Sequence, residues 1–200
     1  MIRIATLSCL LLLGSYAVGH AAAIVGKPAP AIALKDTDGK TVRLADFKGK
    51  LVVLEWVNFQ CPFVRKHYGS GNMQQLQKTY TEKGIVWISI CSSAPGKQGY
   101  VTGPEAETLI EEKDATPTRF LLDPKGVAGK AYGAKTTPHM FVIDPKGILI
   151  YNGAIDDKPS TKPDDVPTAR NYVAAALVAA MAGETVEVSA TQPYGCSVKY

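Results

Sequence analysis

The sequence predicts an α/β domain, a central mixed β-sheet flanked by helices. Three observations predict it. Leu51–Phe59 and Ile85–Cys91 are nearly continuous apolar runs, as strands buried on both faces require. Segments of helical character alternate with the strands, which is the pattern of an α/β sheet. Two Asp-Pro-Lys-Gly turns, at Asp123 and Asp144, punctuate the later strands, and the second leaves Met140–Ile143 and Ile148–Tyr151 close enough to form a hairpin.

Taken in order, the chain opens on Arg3, an uncharged apolar run from Ile4 to Val18, and the small residues of Gly19-His20-Ala21-Ala22-Ala23. This is the pattern of a signal peptide over 1–23, cleaved near Ala21–Ala23. The run is short for a bilayer crossing and lacks a basic stop-transfer flank, so no membrane span is expected after cleavage. The alternative is an uncleaved N-terminal anchor. The expected location is exported, periplasmic or secreted, where Cys61, Cys91 and Cys196 meet an oxidising environment. Their odd number leaves at least one unpaired or pairing between molecules.

The domain is expected over 24–183. Ala31–Leu34 and Thr41–Leu44 read as short strands around the turn Asp36-Thr37-Asp38-Gly39, ahead of the Leu51–Phe59 strand. Pro62 suits the first turn of a helix, Gly69-Ser70-Gly71 breaks it, and Asn72 caps a second helical segment to Tyr80. After the Ile85–Cys91 strand come a loop from Ser92 to Gly103, a helix from Pro104 to Lys113 and a strand from Phe120 to Leu122. Asp156–Asp165 reads as a solvated acidic loop. Pro167–Ala182 reads as a helix with an Ala-rich packing face, ended by Gly183, and 184–200 as a tail carrying Cys196.

Composition narrows the function. The chain has 200 residues, 46% of them hydrophobic, which is one ordinary domain and excludes a disordered protein. A net charge of +4 without a basic block excludes nucleic acid as a partner. Four cysteines are too few for a disulfide scaffold but suffice for thiol chemistry.

Cys61 lies between a buried strand and a helix N-terminus, where backbone N–H groups and the helix dipole favour a thiolate. Arg65, Lys66 and His67 follow within two turns and add positive potential. The alternative is an inert buried thiol. Glu55, inside the same apolar strand, is a carboxyl whose pKa burial should raise, useful for proton transfer near neutrality or else simply paired. Cys91 ends an apolar strand and is expected to pack in the core. Cys196 follows Pro-Tyr-Gly, a turn that presents its thiol near a segment able to move; the alternative is a free or structural thiol.

The segment Leu54-Glu-Trp-Val-Asn-Phe-Gln-Cys-Pro-Phe-Val-Arg-Lys66 resembles the strand–active-site–helix unit of the thioredoxin fold. Thr136-Thr-Pro-His-Met-Phe-Val-Ile-Asp-Pro-Lys-Gly147 is similar to the cis-proline strand and hairpin of the redoxin branch (AhpC/TSA and TlpA/ResA). Gly26–Lys50 resembles the N-terminal β-hairpin extension of that branch. Cys-Pro-Phe-Val at the site with Pro-Tyr-Gly-Cys in the tail resembles an exported subgroup of it. The resemblance runs from Val25 to Gly153.

The resemblance implies a thioredoxin-like fold and a thiol oxidoreductase. Cys61 is then the nucleophile, Glu55 the acid exchanging protons with the thiols, and Arg65 a residue tuning the sulfur. Pro62, Thr137, Pro138 and His139 line the substrate groove. The implied partners are a protein or small-molecule disulfide or peroxide and an external thiol electron donor; no cofactor is implied. Val64 stands where a CxxC motif has its second cysteine, so that motif cannot close, and Cys196 becomes the candidate resolving thiol. Leu54 and Asn58 occupy the positions of the peroxiredoxin Pro and Thr, and Pro138 that of its Arg. A thiol peroxidase therefore stays an alternative, as does a non-catalytic binding protein or a copper-binding protein drawing on Cys61, His67, His139 and Cys196. Sco-type copper chaperones share the fold but carry Cys-x-x-x-Cys-Pro, absent here, and the expectation is no metal.

Overall fold

The structure, a computed structural model, describes residues 23–200; apart from Ala23, the expected signal peptide lies outside them. Its strands are β1 (Ala33–Asp36), β2 (Thr41–Arg43), β3 (Val52–Trp56), β4 (Val86–Cys91), β5 (Arg119–Leu122), β6 (Thr136–Thr137), β7 (His139–Ile143), β8 (Leu149–Gly153) and β9 (Cys196–Ser197). Its α-helices are α1 (Pro62–Gly69), α2 (Asn72–Thr81), α3 (Gly103–Glu112), α4 (Val127–Tyr132) and α5 (Tyr172–Met181).

Seven strands form one mixed sheet in the order β2-β1-β5-β4-β3-β7-β8, and β6 pairs separately with β9. The two apolar runs become β3 and β4, which are parallel neighbours at the centre of the sheet. The β1–β2 hairpin joins the sheet antiparallel to β5, and the Asp144 turn closes the β7–β8 hairpin. The α/β architecture with a mixed sheet is therefore as the sequence predicts.

Strand alternation sorts side chains between two cores. Val53 and Val57 face α1, α2, α3 and α5, beside Val64, Met73, Ala106 and Leu177. Val52, Leu54 and Trp56 face α4 and the N-terminal segment. There Trp56, Tyr132 and Phe141 pack with ring centroids 5.1–5.3 Å apart. Burying a side chain of this kind contributes roughly 1.5–3 kcal/mol.

Local chemistry sets the helix ends. Thr102 and Glu105 form a capping box at α3, and Asn171 Oδ1 accepts the Ala174 N–H at α5. Gly71, at φ 75°, is the N-cap of α2, so Asn72 is not the cap expected from the sequence; its amide donates instead to His67. The single helix expected over Pro167–Ala182 is two elements, a 3-10 helix at Pro163–Thr168 and α5, because the chain becomes extended at Ala169 and restarts at the Asn171 cap. The loop at Asp156 is not wholly solvated either: Asp156 is 2% exposed.

Candidate active site

The turn that presents Cys61 is built by Asn58. Its Oδ1 accepts the Gln60 N–H at 2.9 Å, its carbonyl accepts the Cys61 N–H at 2.9 Å, and its amide donates to the Gln98 carbonyl. Gly99 passes so close that a methyl group there would collide with the Asn58 amide. Cys61 is thereby fixed as the N-cap of α1, with Pro62 at the first helical position.

Across from it, the Thr137–Pro138 peptide is cis, and the Cys61 thiol donates to the Thr137 carbonyl at 3.1 Å. The β6–β9 pairing then sets Thr137 opposite Cys196 and Thr136 opposite Ser197. Two thiols far apart in the chain thus meet at one residue, Thr137. No disulfide joins them in this structure, and Cys61 is buried while Cys196 is partly exposed.

Their electrostatics differ. Burial pushes the Cys61 thiol up, but hydrogen bonds from the Cys196 thiol, the Val64 and Cys196 N–H groups and the Thr137 side chain outweigh it, and the net displacement is down. For Cys196, burial and then the neighbouring Cys61 push the thiol up to about 11. Of the two, Cys61 is the thiol that ionises more readily and Cys196 the one that holds its proton more tightly. With Cys61 protonated, the buried Thr137 Oγ1 has no hydrogen-bond partner among the described residues, so it is a donor available to the thiolate.

The tail is docked along its length. The Asn152 N–H donates to the Ser189 carbonyl and the Thr191 N–H to the Asn152 carbonyl, both at 3.1 Å. Gly195, at φ 143°, passes against the Thr137 carbonyl where a side chain would not fit. The Val198 N–H donates to the Lys135 carbonyl, and the Lys199 carbonyl accepts the Ala94 N–H. The Tyr200 ring lies against Gly126 and Gly129, and its hydroxyl donates to the Ala134 carbonyl at 2.8 Å. With the tail docked, the turn before Cys196 therefore holds its thiol at Thr137.

The remaining site residues divide. Pro62 is exposed beside Cys61, and Pro138 follows Thr137 at the thiol pair. Arg65 is exposed, and its charge favours the Cys196 thiolate rather than acting on Cys61. His139 does not line the groove: it packs on Phe141 in the other core, takes the Lys135 N–H on Nδ1 and meets Asn152 Oδ1 from Nε2 at 2.8 Å. Burial lowers its pKa to about 4. Lys66 and His67 are buried and bond away from the sulfur, to Asp156 and Tyr194, so they are not solvated helix residues. The cysteines and histidines considered for copper therefore do not share one site.

Glu55 is fully buried and accepts from Tyr68 Oη, Trp87 Nε1, Ser89 Oγ and Gln77 Nε2 at 2.9–3.3 Å. Burial raises its pKa against those four hydrogen bonds. Among the described residues, no hydrogen bond joins it to a sulfur. Cys91 is in the core, its thiol donating to the Gly99 carbonyl and pushed up by burial. Asn58, Thr137 Oγ1, Asp156 and Tyr194 are the site residues whose contacts sequence reasoning missed. For Tyr194 the available signal was an aromatic residue two positions before a cysteine.

Residues 25–152 match the model of the AhpC/TSA family. The fold is similar to that of an uncharacterized conserved protein from Geobacillus kaustophilus, at 27% identity and a TM-score of 0.72 over 88% of this chain and 92% of that one. A hypothetical protein from Sinorhizobium meliloti is similar at 22% identity, with a TM-score of 0.74 over 90% and 96% of the two chains. A putative thiol:disulfide interchange protein, DsbE, from Chlorobium tepidum is similar at 27% identity, with a TM-score of 0.53 over 66% and 85%. No curated protein matches the chain.

Proposed function

The chain belongs to the AhpC/TSA family, and we propose that it is a thiol–disulfide oxidoreductase whose redox couple is Cys61 and Cys196. The observation that carries this reading is the register of β6 on β9, which brings Cys196 to the residue whose carbonyl takes the Cys61 thiol. The likeness to the Chlorobium protein, a putative thiol:disulfide interchange protein, supports the same chemistry.

The Cys61 thiolate attacks one sulfur of a disulfide, forming a mixed disulfide and releasing the other sulfur as a thiolate. Cys196 then gives up its proton and attacks the Cys61 sulfur. The internal disulfide forms, the second substrate sulfur leaves as a thiol, and two electrons have passed to the substrate. An external dithiol returns them. Because Cys61 is buried with the tail packed at its carbonyl partner, a protein disulfide reaches it only when the tail lifts. Pro138, beside Thr137, borders the surface then uncovered, and the exposed Pro62 flanks it. Glu55 holds a proton for the thiols, and its transfer needs a bridging water because no direct hydrogen bond links them. Export rests on residues 1–23, and sequencing the N-terminus of the mature protein tests it.

The experiment is an insulin-disulfide assay run beside a hydroperoxide assay, with peptide mapping of the oxidised protein. The reading expects insulin reduction that is lost in Cys61→Ser, slowed in Cys196→Ser, and accompanied by a Cys61–Cys196 peptide. Insulin reduction equal in wild type and Cys61→Ser, or turnover of hydroperoxide alone, overturns it.

A further inference from the structure

A buried polar network stands beside the thiol pair without touching either sulfur. Lys66 and His67 belong to α1, the helix that Cys61 caps, and both are buried together with Asp156. Asn72 Nδ2 donates to His67 Nδ1 at 2.9 Å, which leaves the ring proton on Nε2. That nitrogen donates to Tyr194 Oη at 3.2 Å, and the Tyr194 hydroxyl in turn donates to Asp156 Oδ1. Asp156 Oδ2 lies 3.4 Å from Lys66 Nζ, which also donates to the Lys158 carbonyl at 2.7 Å. The Tyr194 ring packs on Phe63, and Lys66 Nζ lies 5.5 Å from its centroid.

Every group except Tyr194 belongs to the body of the domain; Tyr194 belongs to the tail, two residues before Cys196. A buried lysine and aspartate are tolerated only with their hydrogen bonds complete. Lifting the tail takes the hydroxyl from Asp156 and the acceptor from His67 and opens the cluster to water. The network therefore favours the docked tail.

We infer that Tyr194 is a positioning residue: through Asp156 and His67 it sets the effective concentration of the Cys196 thiol at Cys61. This rests on the redox couple proposed above and adds what governs its equilibrium. In the oxidised state the internal disulfide itself holds the tail. In the reduced state only non-covalent contacts do, so weakening them lets the reduced form escape and disfavours the internal disulfide.

The test equilibrates the full chain with glutathione buffers of graded ratio and reads the species by intact mass after acid quench. Glutathione disulfide first forms Cys61–glutathione, releasing one glutathione; Cys196 then displaces the second and closes the internal disulfide. Tyr194→Phe keeps the ring on Phe63 and loses only the hydroxyl. It should lower the equilibrium constant for the internal disulfide about five- to tenfold and make the Cys61–glutathione adduct a visible species. Asp156→Asn should move the constant in the same direction, and the double variant little further. In the Cys196→Ser background, Tyr194→Phe should speed alkylation of Cys61. Tyr80→Phe, which removes a hydroxyl bonded to the Ala174 carbonyl of α5 and not to the tail, is the control and should leave the constant unchanged. A constant equal in wild type and Tyr194→Phe, when the wild type does close the disulfide, overturns the positioning role. A wild type that closes none in any buffer overturns the redox couple instead.

Discussion

Cys196 faces Thr137 across a two-residue antiparallel ladder, and the Thr137 carbonyl takes the Cys61 thiol at 3.1 Å. A single backbone position thus serves both the strand pairing of the tail and the hydrogen bonding of the nucleophile. Disturbing one should be read at the other.

Gly195 marks a close approach between tail and body. An alanine there meets a φ of 143° and the Thr137 carbonyl together, a strain of about 1–3 kcal/mol. In Gly195→Ala the tail should undock, Cys61 should react faster with iodoacetamide, and the amides of Val198 and Ala94 should lose hydrogen-exchange protection. Unchanged alkylation would show that Cys61 is reached by another route.

Thr137→Val keeps the shape and removes a buried hydroxyl that has no partner beside the thiol form of Cys61. Stability should hold or rise, because an unsatisfied group disappears. The thiolate loses a donor, so its pKa rises and alkylation of Cys61 near pH 6–7 slows about threefold to tenfold. A rate profile with pH, taken in the Cys196→Ser background, measures this.

Acid should destabilise the fold through its two neutral, buried histidines. His67 and His139 are each lowered by burial to about 4 from an ordinary value of 6.5. Between those values the unfolded chain binds the extra protons. The stabilising contribution is therefore complete above 6.5 and is lost as pH falls toward 4, on the order of 2–3 kcal/mol for each. Urea unfolding at pH 7.5, 5.5 and 4.5 reads the slope. His139→Gln, which supplies one donor and one acceptor without titrating, should flatten it by about half.

The four donors around Glu55 make it the most saturated acceptor in the core. Glu55→Gln sets an NH2 among four donors where the carboxyl carries at most one O–H, and should cost about 1–3 kcal/mol of stability. The pH profile of insulin reduction should also lose its acidic limb. A profile that keeps that limb confines Glu55 to a packing role.

Legibility followed locality. β3 and β4 were readable because burial on both faces writes a continuous apolar run, and the Asp144 turn marked the β7–β8 hairpin. Helix α4 was not readable: Val127–Tyr132 is six residues with an internal glycine and sits in no long periodic pattern. The thiol neighbourhood of Cys61 was visible from the strand-to-helix junction. The docking of Cys196 was not, because β9 has two residues and its register is set by contacts far away in the chain. Glycines recorded that docking in retrospect: Gly126, Gly129 and Gly153 each lack a side chain where Tyr200 or Thr191 passes. Asp156 misled because its acidic neighbours look solvated, whereas its carboxylate is matched by Lys66 from another element.

The pairing of Asn152 with Ser189 and Thr191 has a second consequence. β8 is the last strand at its end of the sheet, and this stretch of tail occupies its outward-facing backbone groups. Peeled back beyond Ser189, the tail leaves two bare ladders, one on β8 and one on β6, each a template for a strand from a neighbouring molecule. Lifting the cover from the sulfur therefore also removes a guard against self-association, and the time the molecule spends open bears on its solubility as well as on its turnover.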